Sequence, residues 1–129
     1  YSSVVTAKLR QMILAGTPEK RPFDQREYER AMHSVYGGSA PGIIDLQYRA
    51  GAYTRRTPAV ERFDEVKAIL ADSPTAEEFE EMIGTVGLDM AQFEAMYGRD
   101  RIETAVLYAK DLKDRYTVLN LYYDYFRSL

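Results

Sequence analysis

Apolar residues recur along this chain at spacings of three and four, the pattern of helices that each bury one face. Val5, Leu9, Met12 and Ile13 form a first stripe, ended by Gly16 and Pro18. A second helix opens at Asp24-Gln25-Arg26-Glu27, where Asp24 can accept from the Glu27 backbone while the Glu27 carboxylate reaches back. It carries Tyr28, Ala31, Met32 and Val35 on one face and closes at Gly37-Gly38. A short helix is expected over residues 43–48, stopping near Gly51, followed by a loop over 52–57. Thr57-Pro58 predicts the next start, with proline at the first helical position, where its missing N–H is not needed. That helix carries Val60, Phe63, Val66 or Lys67, and Leu70, and ends before Pro74.

Three more capping boxes follow: Thr75 with Glu78, Asp89 with Gln92, and Asp100 with Glu103. They open helices bearing Phe79, Met82 and Ile83, then Phe93, Met96 and Tyr97, then Ile102, Val106 and Ala109, with Gly84, Gly87 and Gly98 as stops. Thr117 caps a final helix carrying Val118, Leu119, Tyr122 and Phe126. No segment sustains the period-two alternation of a strand, and no Asn-Gly or Asp-Gly hairpin signal occurs. The fold predicted is all-α: one domain over residues 1–129, a bundle of seven or eight short helices.

Composition adds limits. With 129 residues, 46% of them hydrophobic and 29% charged, the chain can bury a core without staples and is no candidate for disorder. Seventeen basic and 20 acidic residues give a net charge of -3, without the basic excess that nucleic-acid binding calls for; only Arg55-Arg56 breaks the mixture of signs. There is no cysteine, which excludes disulfides, thiolate metal sites and cysteine nucleophiles and fits a reducing compartment. No apolar run approaches the ~18 residues of a membrane span. The charges within the N-terminal apolar stretch read poorly as a signal peptide. The sequence opens at Tyr1-Ser2-Ser3 without Met and is helical in pattern almost at once, which predicts a piece of a longer chain.

The candidate chemistry is thin. The phosphate cradles GxGxxG and GxxxxGK[ST] are missing, and residues 37–42 read as a linker between helices, because no strand precedes them. His33, the single histidine, reads as a partly exposed structural residue. Glu77, Glu78, Glu80 and Glu81 crowd the first turns of a helix, where carboxylates favour the macrodipole, and read as a solvated face. Lys110, Asp111, Lys113, Asp114 and Arg115 read as surface charge with ion pairs at helical spacing. The rings of Tyr116, Tyr122, Tyr123, Tyr125 and Phe126 occupy more than one helical face, so packing is expected to use one face and leave the rest for a partner.

The run over residues 105–119, Ala-Val-Leu-Tyr-Ala-Lys-Asp-Leu-Lys-Asp-Arg-Tyr-Thr-Val-Leu, resembles the closing helices of sn-glycerol-1-phosphate dehydrogenases. Its Arg115-Tyr116-Thr117 motif is moderately specific. The segment from Ser73 to Glu78 and the Gly87 region are similar to the linker and short helix before them, and residues 1–14 resemble the helix after that family's metal-binding His-Gly segment. The resemblance thus covers nearly the whole chain, as a dehydroquinate synthase-like helical domain. It implies the C-terminal half of a cytoplasmic, two-domain oxidoreductase of phospholipid metabolism, interconverting dihydroxyacetone phosphate and glycerol 1-phosphate. The implied partners are an N-terminal dinucleotide-binding domain and further copies in a homo-oligomer, with neither nucleic acid nor a membrane span involved. The implied cofactors are NAD(P) and a divalent metal, Zn or Ni, acting as a Lewis acid.

This sequence lacks the family's glycine-rich cofactor segment, and the Asp and two His that ligate the metal are expected upstream of Tyr1. His33 falls in no matching motif, so no catalytic, cofactor-binding or metal residue is carried over. Ser2, Ser3 and Arg115 lie in segments that resemble ones near the cleft, and are expected on its wall. Two other readings compete: a stand-alone all-α interaction module that binds through the tyrosine-rich C-terminus, and a helix-turn-helix regulator around residues 79–93. The acidic character of that region argues against the regulator, whose recognition helix needs basic and amide side chains.

Overall fold

In the computed structural model, which describes residues 1–19, 21–52, 54 and 59–127, helix α1 (Ser2–Ala15) is covered from two sides. Its buried residues Val4, Ala7, Arg10 and Ile13 are spaced by three, and at 3.6 residues per turn each such step rotates about 60° around the axis. Val4 and Ile13 therefore face opposite ways, yet both are completely buried. The cause is tertiary: α1 packs against α4 (Phe63–Ala71), α5 (Ala76–Thr85) and α8 (Val118–Tyr125). The stripe expected from sequence is rotated accordingly. Leu9 and Ile13 are buried, Val5 is half-buried and Met12 is exposed.

The other helices among the described residues are α2 (Gln25–Tyr36), α3 (Ala40–Arg49), α6 (Met90–Tyr97) and α7 (Arg99–Tyr108), with short 3-10 turns at Gly37–Ser39 and Ala109–Leu112. The fold is all-α, with no strand among the described residues. Among the described residues two apolar clusters hold it. Ile13, Ala59, Leu121 and Tyr125 form one, with Phe63, Val66, Leu70, Val118, Tyr122 and Phe126 packed around them. Tyr28, Met32 and Ala40 form the other, with Tyr36, Ile43, Ile44 and Tyr108. Val66, rather than Lys67, is thus the inward residue on α4.

The helix starts follow the sequence in part. Thr75 and Glu78 make a complete capping box. Asp24 accepts from the Glu27 N–H at 3.0 Å. Asp89 accepts from Ala91 at 2.8 Å, one residue earlier than the Gln92 box implies. Asp100 is not a cap: α6 and α7 share Gly98, whose φ of 80° lets the chain turn directly from one helix into the next. Asp100 falls in the first turn of α7 instead, where its charge favours the dipole. The Thr57-Pro58 start and Arg55-Arg56 lie outside the described residues; α4 begins at Phe63. Thr117 opens α8 as expected, its N–H donating to Asn120 Oδ1 at 2.8 Å.

The link between α2 and α3 is shorter than the expected 37–42: it is the 3-10 turn Gly37–Ser39, and residues 40–42 already form the first turn of α3, which starts three residues before the expected position. Arg10, a polar residue in the middle of the α1 face, is 8% exposed. Its guanidinium donates to the carbonyl oxygens of Ser73 (3.1 Å) and Pro74, tying α1 to the α4–α5 linker. These carbonyls follow the end of α4, where helical partners run out.

Candidate functional site: a buried ion pair and the strap it anchors

Where α7 ends, the chain tightens into the 3-10 turn Ala109–Leu112, and two charged residues turn inward there. Lys110 and Asp111 are 8% and 2% exposed. The Lys110 Nζ donates to both carboxylate oxygens of Asp111, at 2.8 and 2.9 Å. Tyr28 of α2 donates its hydroxyl to Asp111 Oδ1 at 2.9 Å, and Gln47 of α3 donates its amide to the carbonyls of Asp111 and Lys113, each at 2.8 Å. The ammonium also lies 4.0 Å from the centre of the Tyr123 ring on α8, and 5.5 Å from that of Tyr28. Four elements thus meet at one pair of charges.

Such a pair is stable in the interior because its polar atoms find partners. Burial pushes the Lys110 ammonium below its ordinary pKa, and the Asp111 carboxylate pulls it part of the way back. Burial also raises the Tyr123 phenol, against the opposing pull of Arg127, whose guanidinium carbon sits 3.7 Å from that ring's centre. Tyr36 is raised by burial and by the Asp111 charge, and donates its hydroxyl to the Tyr108 carbonyl at 2.8 Å.

The expectation of surface charge fails for Lys110 and Asp111. A 3-10 turn spaces adjacent residues about 120° apart, so local geometry does not bring the two together. The long Lys110 side chain bends over to Asp111 between the rings of Tyr28 and Tyr123. Sequence reading missed Tyr28 and Gln47 as their partners because 83 and 64 residues separate them from Asp111. The chemistry the pair supports is mechanical: it pins the chain at residues 111–113. The residues just beyond, 114–117, are exposed, Arg115 among them. Arg115 is therefore displayed from a fixed base.

Ser2 and Ser3 are exposed in the first turn of α1. Arg115 is exposed between the 3-10 turn and α8, and among the described residues no hydrogen bond joins it to either serine. His33 is exposed too, and shares one open face of α2 with Arg26, Glu29 and Arg30.

The acidic run on α5 is partly engaged: Glu80 pairs with Lys8 at 2.7 Å, Glu77 accepts from Gln11 at 3.2 Å, and Glu78 closes the capping box. The tyrosine-rich end is packed more completely than expected. Tyr122, Tyr125 and Phe126 serve the first apolar cluster, while Tyr123 faces Lys110 and lies 6.1 Å from Tyr108. Packing against α1, α7 and the 3-10 turn lets the rings of α8 fill several faces, while Tyr116, just before the helix, stays exposed.

Among the described residues no three or more His, Asp or Glu side chains come together where they could hold a metal ion. Compared with protein families, curated proteins and solved structures, the chain matches none.

Proposed function

We propose that this chain is the helical half of a glycerol-1-phosphate-dehydrogenase-like oxidoreductase, with a dehydroquinate synthase-like α domain forming one wall of an interdomain cleft. The dinucleotide-binding half would hold NAD(P) and the divalent metal, Zn or Ni, and the helical half would contribute oligomer contacts. Turnover then requires both halves, and the isolated chain is inactive. The setting proposed is cytoplasmic, which suits a chain without cysteine. Among the described residues no helix is long and apolar enough to cross a membrane.

The observation that carries this reading is the arrangement of residues 105–119. The segment with the family-like sequence contains the buried Lys110–Asp111 anchor and, a few residues on, the exposed Arg115. A guanidinium held out from a rigid strap suits a phosphate-bearing substrate, because its planar fork matches phosphate oxygens.

The test is to express the coding sequence that reads through upstream of Tyr1 and to assay reduction of dihydroxyacetone phosphate by NADH or NADPH with Zn or Ni added. Turnover is expected, with Arg115→Ala raising KM at least tenfold. An upstream sequence without a dinucleotide-binding segment, or a full product without turnover, overturns the proposal. The second reading is a stand-alone all-α interaction module, favoured by the exposed apolar residues at the end of α5.

A further inference from the structure

The far end of α5 exposes large apolar side chains. Met82, Val86 and Leu88 are 51%, 71% and 64% exposed. Met82 and Val86 are four apart and share one helical stripe. Leu88 is brought back beside them by the way α5 stops. Its N–H donates to the Ile83 carbonyl at 3.2 Å, while the N–H of Gly87 donates to Gly84 at 3.0 Å. Gly87 takes a φ of 76°, and the pair of bonds makes a Schellman stop. In that motif the residue after the glycine ordinarily packs back onto the helix, yet Leu88 stays mostly in solvent. The stop thus fixes an apolar tip that the chain itself leaves uncovered.

The charge around the tip is one-sided. From residue 68 to residue 98 the sequence has no Lys, Arg or His and seven carboxylates: Asp72, Glu77, Glu78, Glu80, Glu81, Asp89 and Glu94. Glu78 lies on the same stripe as Met82 and Val86, and Asp89 follows Leu88 directly. Lys8 pairs with Glu80 and also faces Glu77 and Glu94, which leaves Glu78, Glu81 and Asp89 as the carboxylates nearest the tip in sequence without a cation paired to them in the structure. Such a field draws cations and repels anionic lipid, nucleic acid and acidic proteins. A methionine at the centre adapts to differently shaped apolar side chains.

The geometry points to the α5 tip as a docking surface for a Lys/Arg-rich amphipathic helix of a partner protein. Apolar residues of that helix seat on Met82, Val86 and Leu88, and its cations meet the carboxylates of residues 72–94. This does not depend on the dehydrogenase reading.

The probe is a fluorescein-labelled amphipathic 14-residue peptide of Leu and Lys, titrated with the protein at low salt and followed by anisotropy. Its Leu/Glu counterpart is the control. Saturable binding of the Lys peptide alone is expected. The double variant V86S/L88S should weaken it at least tenfold with an unchanged circular dichroism spectrum, and Glu81→Lys should weaken it several-fold. If V86S/L88S binds like the parent, attraction is by charge alone and the proposal fails. Equal binding of the Glu peptide defeats it as well. A protein dimer, seen in sedimentation and dissociated by V86S/L88S, also overturns it, because the occupant is then a second copy.

Discussion

Replacing Asp111 by Asn removes the charge but almost none of the shape at the meeting point of α2, α3, α7 and α8. The Lys110 ammonium then remains 8% exposed, with no carboxylate in contact. Removing one partner of a buried ion pair costs about 3–5 kcal/mol, because the other charge stays desolvated and unpaired. Tyr28 keeps an oxygen acceptor at the same place, so little is added from its hydroxyl. Against a whole stability of ~5–15 kcal/mol, that loss is a large share.

The measurement is urea unfolding at neutral pH, followed by circular dichroism and by tyrosine fluorescence, since the chain has 11 Tyr and no Trp. Lys110→Met should cost a similar amount, as it strands Asp111. The double variant K110M/D111N should lose less than the two singles together, with a coupling of about 2–3 kcal/mol between the sites. A loss below about 1 kcal/mol for D111N, the range of exposed pairs, would refute the claim that this pair is a buried anchor. So would strict additivity.

The remaining predictions concern other joints. Arg10→Met should destabilise by about 2–3 kcal/mol in the same assay, since the charge-assisted bonds to Ser73 and Pro74 are lost and their carbonyls need water. Gly16→Ala should cost about 1–3 kcal/mol by overpacking, because a methyl group there would stand 3.0 Å from the Met12 carbonyl and 3.1 Å from the Phe126 ring. At alkaline pH, the phenols of Tyr36 and Tyr123 should ionise after the exposed ones in an ultraviolet titration. Their folded-state pKa values lie above the unfolded value of 10.0, so the stability they contribute is complete below pH 10 and is lost as pH rises through the folded values. Tyr123→Phe should reduce that alkaline loss; an unchanged slope would count against it.

Local rules made the helices legible. Period, caps and stops identified α2, α5 and α8 nearly as they stand, because Asp24, Thr75 and Thr117 act within three residues of themselves. What the sequence hid depends on contacts across the chain. Arg10 reads as a polar interruption until the Ser73 and Pro74 carbonyls arrive from more than 60 residues away. Lys110 and Asp111 read as surface charge until Tyr28 and Gln47 close over them. Asp100 fits the capping pattern, but Gly98 allows α7 to begin earlier and takes the cap position. The tyrosines of α8 exceed what one buried face can hold, and only the tertiary enclosure of that helix shows that several faces are buried. Ser2, Ser3 and Arg115 came from the resemblance alone; the structure adds that all three are exposed, the serines in the first turn of α1 and Arg115 between the 3-10 turn and α8.

Electrostatics separates the two functional proposals. The span of residues 68–98 carries seven of the 20 acids and none of the 17 basic residues, so the remainder of the chain has 17 basic residues against 13 acids. Arg115 belongs to that remainder, and the α5 tip belongs to the acidic span, where a phosphate ester is repelled. A phosphate substrate and a cationic helix therefore do not compete for one surface. Both associations weaken as salt is added, but they should respond to different charges: Glu81→Lys acts on the peptide, and Arg115→Ala on the phosphate. A variant at one pole that altered binding at the other would mean that the two surfaces are coupled through α1, which touches α5 on one side and α8 on the other.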